Sequence, residues 1–189
     1  MPDSFKLARL GVVALSLTLA RSAAAQTPTL KVAPSGRATT VVSLSNPANR
    51  NAPAQKIRID YGQPHARGRA IVGGVVPFDT IWRTGANEAT TLSTDVDLVI
   101  GGKRIAKGDY TLYTLPSKSG WQLIVNKQTG QWGTDYKADQ DLVRIPLTVA
   151  PLTSPVEQFT FAIDPTPDGG TIRMLWGDRQ LSVPFTVKR

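Results

Sequence analysis

Apolar and polar side chains alternate along much of the chain. In residues 56–61 the apolar positions are Ile57, Ile59 and Tyr61, and charged residues stand between them. Successive side chains of a strand point to opposite faces, so this period of two predicts a half-buried β-strand. Similar segments are found at residues 96–100, 103–105, 110–115, 121–126, 142–149, 156–163, 171–176 and 179–187. No stretch has a convincing helical period, and the pattern predicts an all-β chain of roughly ten short strands.

Turn-forming residues separate these segments and predict how they connect. The Gly-Gly pair at residues 101–102 is typical of a two-residue hairpin turn, and residues 116–120 predict a second hairpin. The Gly-Asp pair at residues 177–178 predicts a tight turn between the last two strands. Pro146 and Pro184 fall inside strand-like segments, where proline is confined to sheet edges and bulges. The spacing favours an antiparallel β-sandwich of the Greek-key or jelly-roll type, with a closed barrel as the second choice.

The N-terminal segment has the pattern of an export signal. Lys6 and Arg9 precede an apolar run at residues 10–20, and small alanines then offer a cleavage site before Gln26. The apolar run is too short to span a hydrocarbon core, which needs about 20 residues. We therefore expect a Sec-type signal peptide over residues 1–25, a mature protein in the periplasm or outside the cell, and no stable membrane insertion after cleavage.

The remainder has the length of one domain. Residues 26–54 are interpreted as a polar lead-in segment with one strand, and residues 55–189 as a single β-sandwich domain. The formal net charge of the chain is +8 at pH 7, but its basic residues are scattered along the sequence. A nucleic-acid-binding protein usually gathers them in a stripe, so we expect no nucleic-acid partner.

Composition excludes several kinds of chemistry. The chain has no cysteine and one histidine, His65. Disulfides, thiol catalysis and a metal site built from several histidines are therefore excluded within one chain. A serine triad would have to use His65, and the G-x-S-x-G motif that presents such a serine is absent. We expect neither a metal nor a cofactor.

Residues 67–91 depart from the strand pattern. They read RGRAIVGGVVPFDTIWRTGANEATT, in which glycines interrupt a short apolar run before a dense polar cluster. Such a loop on a rigid β scaffold is where binding residues are usually found. The candidate ligand-binding residues are Arg69, Trp82, Arg83, Asn87, Glu88 and Thr90.

Two interpretations of this cluster remain open. In the first, Arg83 and Glu88 lie within ion-pair distance because Gly85 lets the chain fold back, with Asn87 beside them and Trp82 as an apolar wall around a ligand. In the second, the same side chains satisfy one another and hold the loop together.

The same segment carries a family resemblance. Tyr61–Pro64, Gly68-Arg69 and the WRTGANEATT sequence at residues 82–91 resemble the DUF2911 family. Later pieces agree with it, at residues 107–112, 115–116, 121–127, 132–133 and 136. The resemblance covers roughly residues 34–185 and implies an exported bacterial β-rich protein of unknown function. It supplies no catalytic residue.

These observations favour an exported, non-catalytic β-sandwich module that binds a small polar ligand or a cell-envelope component. The alternative is a hydrolase acting on an envelope glycan or another small polar substrate, for which Glu88 is the candidate acid or base. A purely structural envelope protein is a third hypothesis. Convergence of Arg83, Asn87 and Glu88 at a cleft would favour binding or catalysis.

Processing of the N-terminus tests the expected export. Protein secreted by its host should have an intact mass that begins at Gln26, because the small alanines before it suit signal peptidase. Mass spectrometry of the exported protein measures this directly. Recovery of the full-length chain in the membrane fraction would contradict it.

Overall fold

The computed structural model describes residues 31–188. The expected export signal, residues 1–25, lies outside the described residues. Within the part that is described, no helix is long and apolar enough to cross a membrane. The strands belong to one compact unit that begins at Ala33.

The described chain is an all-β structure of nine antiparallel strands. They are β1 (Gly36–Leu44), β2 (Gln55–Gln63), β3 (Thr90–Thr94), β4 (Leu98–Ile100), β5 (Lys103–Ile105), β6 (Gly108–Pro116), β7 (Trp121–Asn126), β8 (Asp141–Thr166) and β9 (Gly169–Val187). Their order in the sheet is β1-β2-β3-β6-β7-β8-β9-β4-β5. A short 3₁₀ turn, Ala138–Gln140, precedes β8. The predicted all-β antiparallel class is confirmed, and the ladder does not close into a barrel.

The alternating pattern of the sequence determines which face of each strand is buried. In β2, Ile57, Ile59 and Tyr61 are buried, while Lys56 and Arg58 are exposed. β1 pairs with β2 along its full length and so belongs to the same sheet.

The two hairpin turns predicted from sequence are also present. Gly101 and Gly102 connect β4 to β5 with φ angles of 52° and 80°, which suits the type I′ turn of a two-residue hairpin. β6 and β7 pair across the second turn.

The last two strands are longer than the sequence pattern predicts. The turn predicted at Gly177-Asp178 is wrong, because Gly177 pairs with Val156 and Arg179 with Pro151, both on β8. The chain therefore continues in the same direction through Gly177, whose positive φ of 57° accompanies a shift of register. Four expected strands become the two arms of one long hairpin.

Strand β8 pairs with β7 along its first part and with β9 along the rest. Its first residues, up to Leu147, pair with β7, and from Thr148 onwards it pairs with β9. Pro146 and Pro184 lie where β8 and β9 change partners, because the pairing between these strands ends at Thr148 and Ser182. Proline has no N–H to donate, which suits a point where one ladder stops and the next begins.

Aromatic side chains of β2 and β8 pack against each other in a common core. The Tyr61 ring of β2 lies 4.9 Å from the Phe161 ring and 5.8 Å from the Phe159 ring, both on β8. The Tyr61 hydroxyl accepts a hydrogen bond from the backbone N–H of Phe161 at 3.0 Å. Residues of all strands from β2 to β9 enter this core, so two packed layers enclose it as in a β-sandwich.

Strand β6 is buried on both faces in its middle. Tyr110 and Leu112 belong to the core, and the opposite face is covered by the segment that follows β7. Thr111 Oγ1 donates to the carbonyl of Gln128 at 2.6 Å, and the Tyr113 ring lies 4.9 Å from the Tyr136 ring. This fully covered strand is the support on which the irregular loops are built.

Candidate functional site

The sequence WRTGANEATT forms a loop that leaves one strand edge and returns to it. Trp82 pairs with Thr114 of β6, and Thr90 at the start of β3 pairs with Leu112 of the same strand. The two partners are adjacent on one face of β6, whereas Trp82 and Thr90 are separated by residues 83–89. These seven residues, which we call the excursion loop, must therefore project from the sheet.

The base of the excursion loop is closed by hydrogen bonds between threonines. Thr90 Oγ1 donates to the carbonyl of Thr84 at 2.9 Å, and Thr84 Oγ1 lies 3.3 Å from Thr114 Oγ1. Both Thr84 and Thr90 are fully buried. Thr84 has a φ of 53°, which is rare for a β-branched residue and persists only where the surroundings impose it. Thr90 thus holds the loop together and does not line a cavity.

Two glycines let other backbones approach the excursion loop closely. A Cβ atom at Gly62 of β2 would collide with the carbonyl of Ala86. A Cβ atom at Gly133 would lie against the Arg83 side chain and 2.6 Å from the carbonyl of Asn87. The Gly133 N–H donates to that Asn87 carbonyl at 3.1 Å. The loop is therefore fixed on both sides by backbone contacts that tolerate no side chain.

A surface cleft of about 370 Å³ opens beside the excursion loop. Four of the six residues predicted from sequence line it, and they are Arg69, Trp82, Arg83 and Asn87. Glu88 and Thr90 do not. The cleft is also lined by His65, Arg67 and Trp176, which the sequence analysis did not select. We call this space the arginine cleft.

Backbone carbonyls orient the three arginines of the cleft. Arg67 Nη2 donates to Pro34 at 2.7 Å, and Arg69 donates to His65 at 2.6 Å. Arg83 makes a longer contact of 3.4 Å between Nε and the carbonyl of Gly85.

None of these three guanidinium groups forms an ion pair with an acid in residues 31–188. The carboxylate of Glu157 comes near, but it accepts from the backbone N–H of Arg67 at 2.8 Å. The cleft therefore carries positive charge that no carboxylate lining it offsets.

Tryptophan rings form the apolar wall of the cleft. Trp82 and Trp176 are stacked with their ring centroids 5.6 Å apart and their planes at 15°. Phe159 meets Trp82 edge-on at 5.1 Å. Trp176 is buried and donates from Nε1 to the carbonyl of Glu157 at 3.2 Å, whereas Trp82 is half-buried. The exposed part of Trp82 is thus held rigidly by the core behind it.

Glu88 points to a different part of the molecule, and the predicted ion pair between Arg83 and Glu88 is wrong. Glu88 Oε2 accepts from Arg37 Nη1 of β1 at 2.8 Å. The preceding Asn87 has a φ of 63°, and Glu88 then pairs through its backbone with Trp132. This reversal turns the Glu88 side chain away from the cleft.

Arg37 also binds Asp60 on the neighbouring strand. Burial opposes ionisation of Asp60, but hydrogen bonds from Thr39 and Arg37 outweigh it and hold the pKa of that carboxyl below its usual value. Glu88, Arg37 and Asp60 therefore form a surface ion-pair network that is separate from the cleft.

A second polar cluster fixes the segment that covers β6. Tyr136 donates from its hydroxyl to Asp141 at 2.7 Å and accepts from Arg144 at 2.9 Å. Burial and the Asp141 carboxylate raise the pKa of Tyr136 to about 12, so the phenol stays protonated. Among the described residues, no group of three histidine, cysteine or acidic side chains is arranged to hold a metal ion.

Sequence reasoning missed His65, Arg67 and Trp176 for different reasons. His65 and Arg67 lie in a turn where Arg67 and Gly68 both have positive φ, and this turn meets the excursion loop only in three dimensions. The repeated arginines at 67 and 69 were the available signal. Trp176 is a buried core residue of β9, and it also lines the cleft.

The fold and the cleft define an all-β domain with an arginine-lined cleft on its surface. The chain belongs to the DUF2911 family, described as protein of unknown function, which it matches over residues 43–185. The matched region contains the excursion loop and the three arginines of the cleft. No curated protein and no solved structure matches the chain.

The close approach at Gly62 gives a test of how the excursion loop is held. Gly62→Ala would place a methyl group on the Ala86 carbonyl, and we expect the free energy of unfolding to fall by about 1–3 kcal/mol. Gly120→Ala is the matched control, because no atom lies within 4 Å of an added Cβ there. Denaturant unfolding measures both variants. Equal stability of the two would show that the loop is not held against β2.

The surface position of Glu88 leads to a second prediction. The side chains of Glu88 and Arg37 are 56% and 36% exposed, so Glu88→Gln should cost about 1 kcal/mol or less. Asp141→Asn is the contrasting variant and should cost more, because Asp141 is 12% exposed and accepts from Asn126, Tyr136 and Arg144. Thermal unfolding compares them. A larger loss for Glu88→Gln would mean that Glu88 has a buried structural role.

Proposed function

We propose that this protein is a binding module whose arginine cleft holds a small ligand bearing carboxylate or phosphate groups. The observation that carries the proposal is that Arg67, Arg69 and Arg83 border one space of about 370 Å³ and form no ion pair with a described acid. A volume of this size lies within the range of small-molecule sites, which is about 300–1,000 Å³.

Electrostatics supports an anionic ligand. Three like charges around one cleft repel each other, and an anion between them would replace this repulsion with attraction. A guanidinium group presents a planar set of donors that matches carboxylate and phosphate oxygens in pairs. Arg67 and Arg69 use some of their donors on backbone carbonyls, which orients each group and leaves other N–H bonds for a ligand.

The remaining lining residues suit a ligand with a ring and polar substituents. The half-buried Trp82 offers an apolar surface, and its stacking on Trp176 fixes the orientation of that surface. Asn87 has both donor and acceptor atoms in its side chain. A sugar acid combines a ring with a carboxylate and hydroxyl groups, and it is the kind of ligand that this set of side chains matches best.

The hydrolase alternative draws no support from the position of Glu88. A catalytic acid or base has to reach the bound substrate, usually in a site shielded from water. Glu88 does not line the cleft, and its carboxylate is occupied by Arg37 on an exposed surface. We therefore favour binding without catalysis. If residues 1–25 direct export, the ligand would be met in the periplasm or outside the cell, where envelope components supply acidic groups.

Binding of small anions to the purified mature protein tests this proposal. Isothermal titration calorimetry at low salt should detect galacturonate, citrate or phosphate, and should detect no binding of neutral galactose. Arg67→Gln and Arg69→Gln should each weaken binding of the anion by about tenfold or more, as expected for loss of a charge-assisted hydrogen bond. Both arginines are exposed, so the variants should fold normally.

The matched control is Arg104→Gln on β5. Arg104 is exposed, lies outside the cleft and pairs with Asp97 at 2.8 Å. Its replacement should leave anion affinity unchanged. An equal loss in all three variants would indicate attraction to net charge alone, and the absence of any binding at low salt would overturn the proposal.

A further inference from the structure

The arginine cleft continues into two further cavities on the same surface. The middle cavity, of about 380 Å³, shares Arg69 with the cleft and is also bordered by Phe78 and Arg179. The distal cavity, of about 400 Å³, shares Phe78 and Arg179 with the middle one and extends to Lys118. Neighbouring cavities border the same side chains, and we call the three spaces together the groove.

Basic side chains accompany this groove from one end to the other. The cleft has Arg67, Arg69 and Arg83, the middle cavity has Arg69 and Arg179, and the distal cavity has Arg179 and Lys118. The acid among the lining residues is Asp178, whose carboxylate lies 3.6 Å from Arg179 Nε. Both of these side chains are about half exposed or more, so water and salt weaken their attraction.

Four of the arginines elsewhere on the described surface are neutralised more closely. Arg37, Arg104, Arg144 and Arg173 each form an ion pair at 2.8 Å or less. None of these four lines the groove. The groove therefore gathers Arg67, Arg69 and Arg83, which form no ion pair with a described acid, together with the weakly paired Arg179 and with Lys118.

We infer that the groove binds an acidic polysaccharide, a linear chain of uronic-acid sugars. This rests on the proposed function, because the arginine cleft would hold one unit of the chain. A single small anion in the cleft would not reach Arg179 and Lys118, whereas a polymer carries a carboxylate on every ring and meets the charges in succession. The distal cavity adds the hydroxyl group of Ser119, which can exchange hydrogen bonds with sugar hydroxyls, while Ser117 donates to the carbonyl of Gly120.

The aromatic side chains favour a polysaccharide over single-stranded nucleic acid. Proteins that bind single strands present a series of exposed rings on which successive bases stack. In this groove Trp121 and Trp176 are buried, and their flat faces are unavailable for such stacking. Trp82 and Phe78 are half-buried. Partial ring surface between charged and hydroxyl groups suits sugar rings, which present both apolar and hydroxyl groups.

Chain length is the variable that tests the groove. Calorimetric titration of the mature protein should give affinities that rise from galacturonate monomer to trimer to hexamer. A neutral glucose hexamer and a single-stranded oligothymidylate should bind more weakly than the galacturonate hexamer at the same salt concentration. The double variant Arg179→Gln/Lys118→Gln should weaken the hexamer about tenfold and leave the monomer unchanged, because neither residue lines the cleft. Arg104→Gln is again the control and should affect neither ligand.

The possible results distinguish the inference about the groove from the proposed anion site in the cleft. If the monomer and the hexamer bind equally well, the groove is overturned and the proposed anion site stands. If neither binds, both are overturned. Tighter binding of the oligothymidylate than of the galacturonate hexamer, or an unchanged hexamer affinity in the double variant, would also overturn the inference of an acidic polysaccharide.

Discussion

The site depends on how the chain pairs with one edge of β6 at two neighbouring positions. Trp82 and Thr90 both hydrogen-bond along that edge, although residues 83–89 separate them in the chain. A regular strand would place one residue between these two positions, so the seven-residue loop leaves the sheet and is closed off at its base by Thr84 and Thr90. The same pairing directs the Trp82 ring inward against Trp176 and brings Arg83 to the surface beside it.

Parts of the fold could be predicted from the local sequence wherever the alternation of apolar and polar residues reflects which side chains are buried. The alternation in β2 predicts its buried face, and the glycines at 101–102 predict their turn because only a few residues adopt positive φ easily. The long strands β8 and β9 could not be predicted in the same way. The Gly-Asp pair at residues 177–178 is typical of a turn, but pairing with β8 decides whether the chain reverses there. The β8 partner of Gly177, Val156, lies some twenty residues away in the sequence.

The candidate site was predicted in part for a similar reason. Arg69, Trp82, Arg83 and Asn87 were selected from one irregular segment, and all four line the cleft. The ion pair expected between Arg83 and Glu88 failed because sequence spacing fixes how far a loop can reach, not which way its side chains turn. Asn87 in the left-handed region reverses that direction. As a result, Arg83 and Glu88 face different surfaces. Glu88 forms an ion pair with Arg37, whereas Arg83 forms no ion pair with a described acid.

Because β8 pairs with β7 through its first residues and with β9 through the rest, the two layers share one continuous strand. The backbone of β8 thus connects the pairing with β7 directly to the pairing with β9. Trp176 on β9 stacks on Trp82 beside β6, and this contact supports the apolar wall of the cleft from behind. If the cleft binds the proposed anion, a wall supported in this way would be pre-organised, and little conformational entropy would be lost on association. Ligand exchange would then proceed at a rate set by contacts with the ligand and not by opening of the protein.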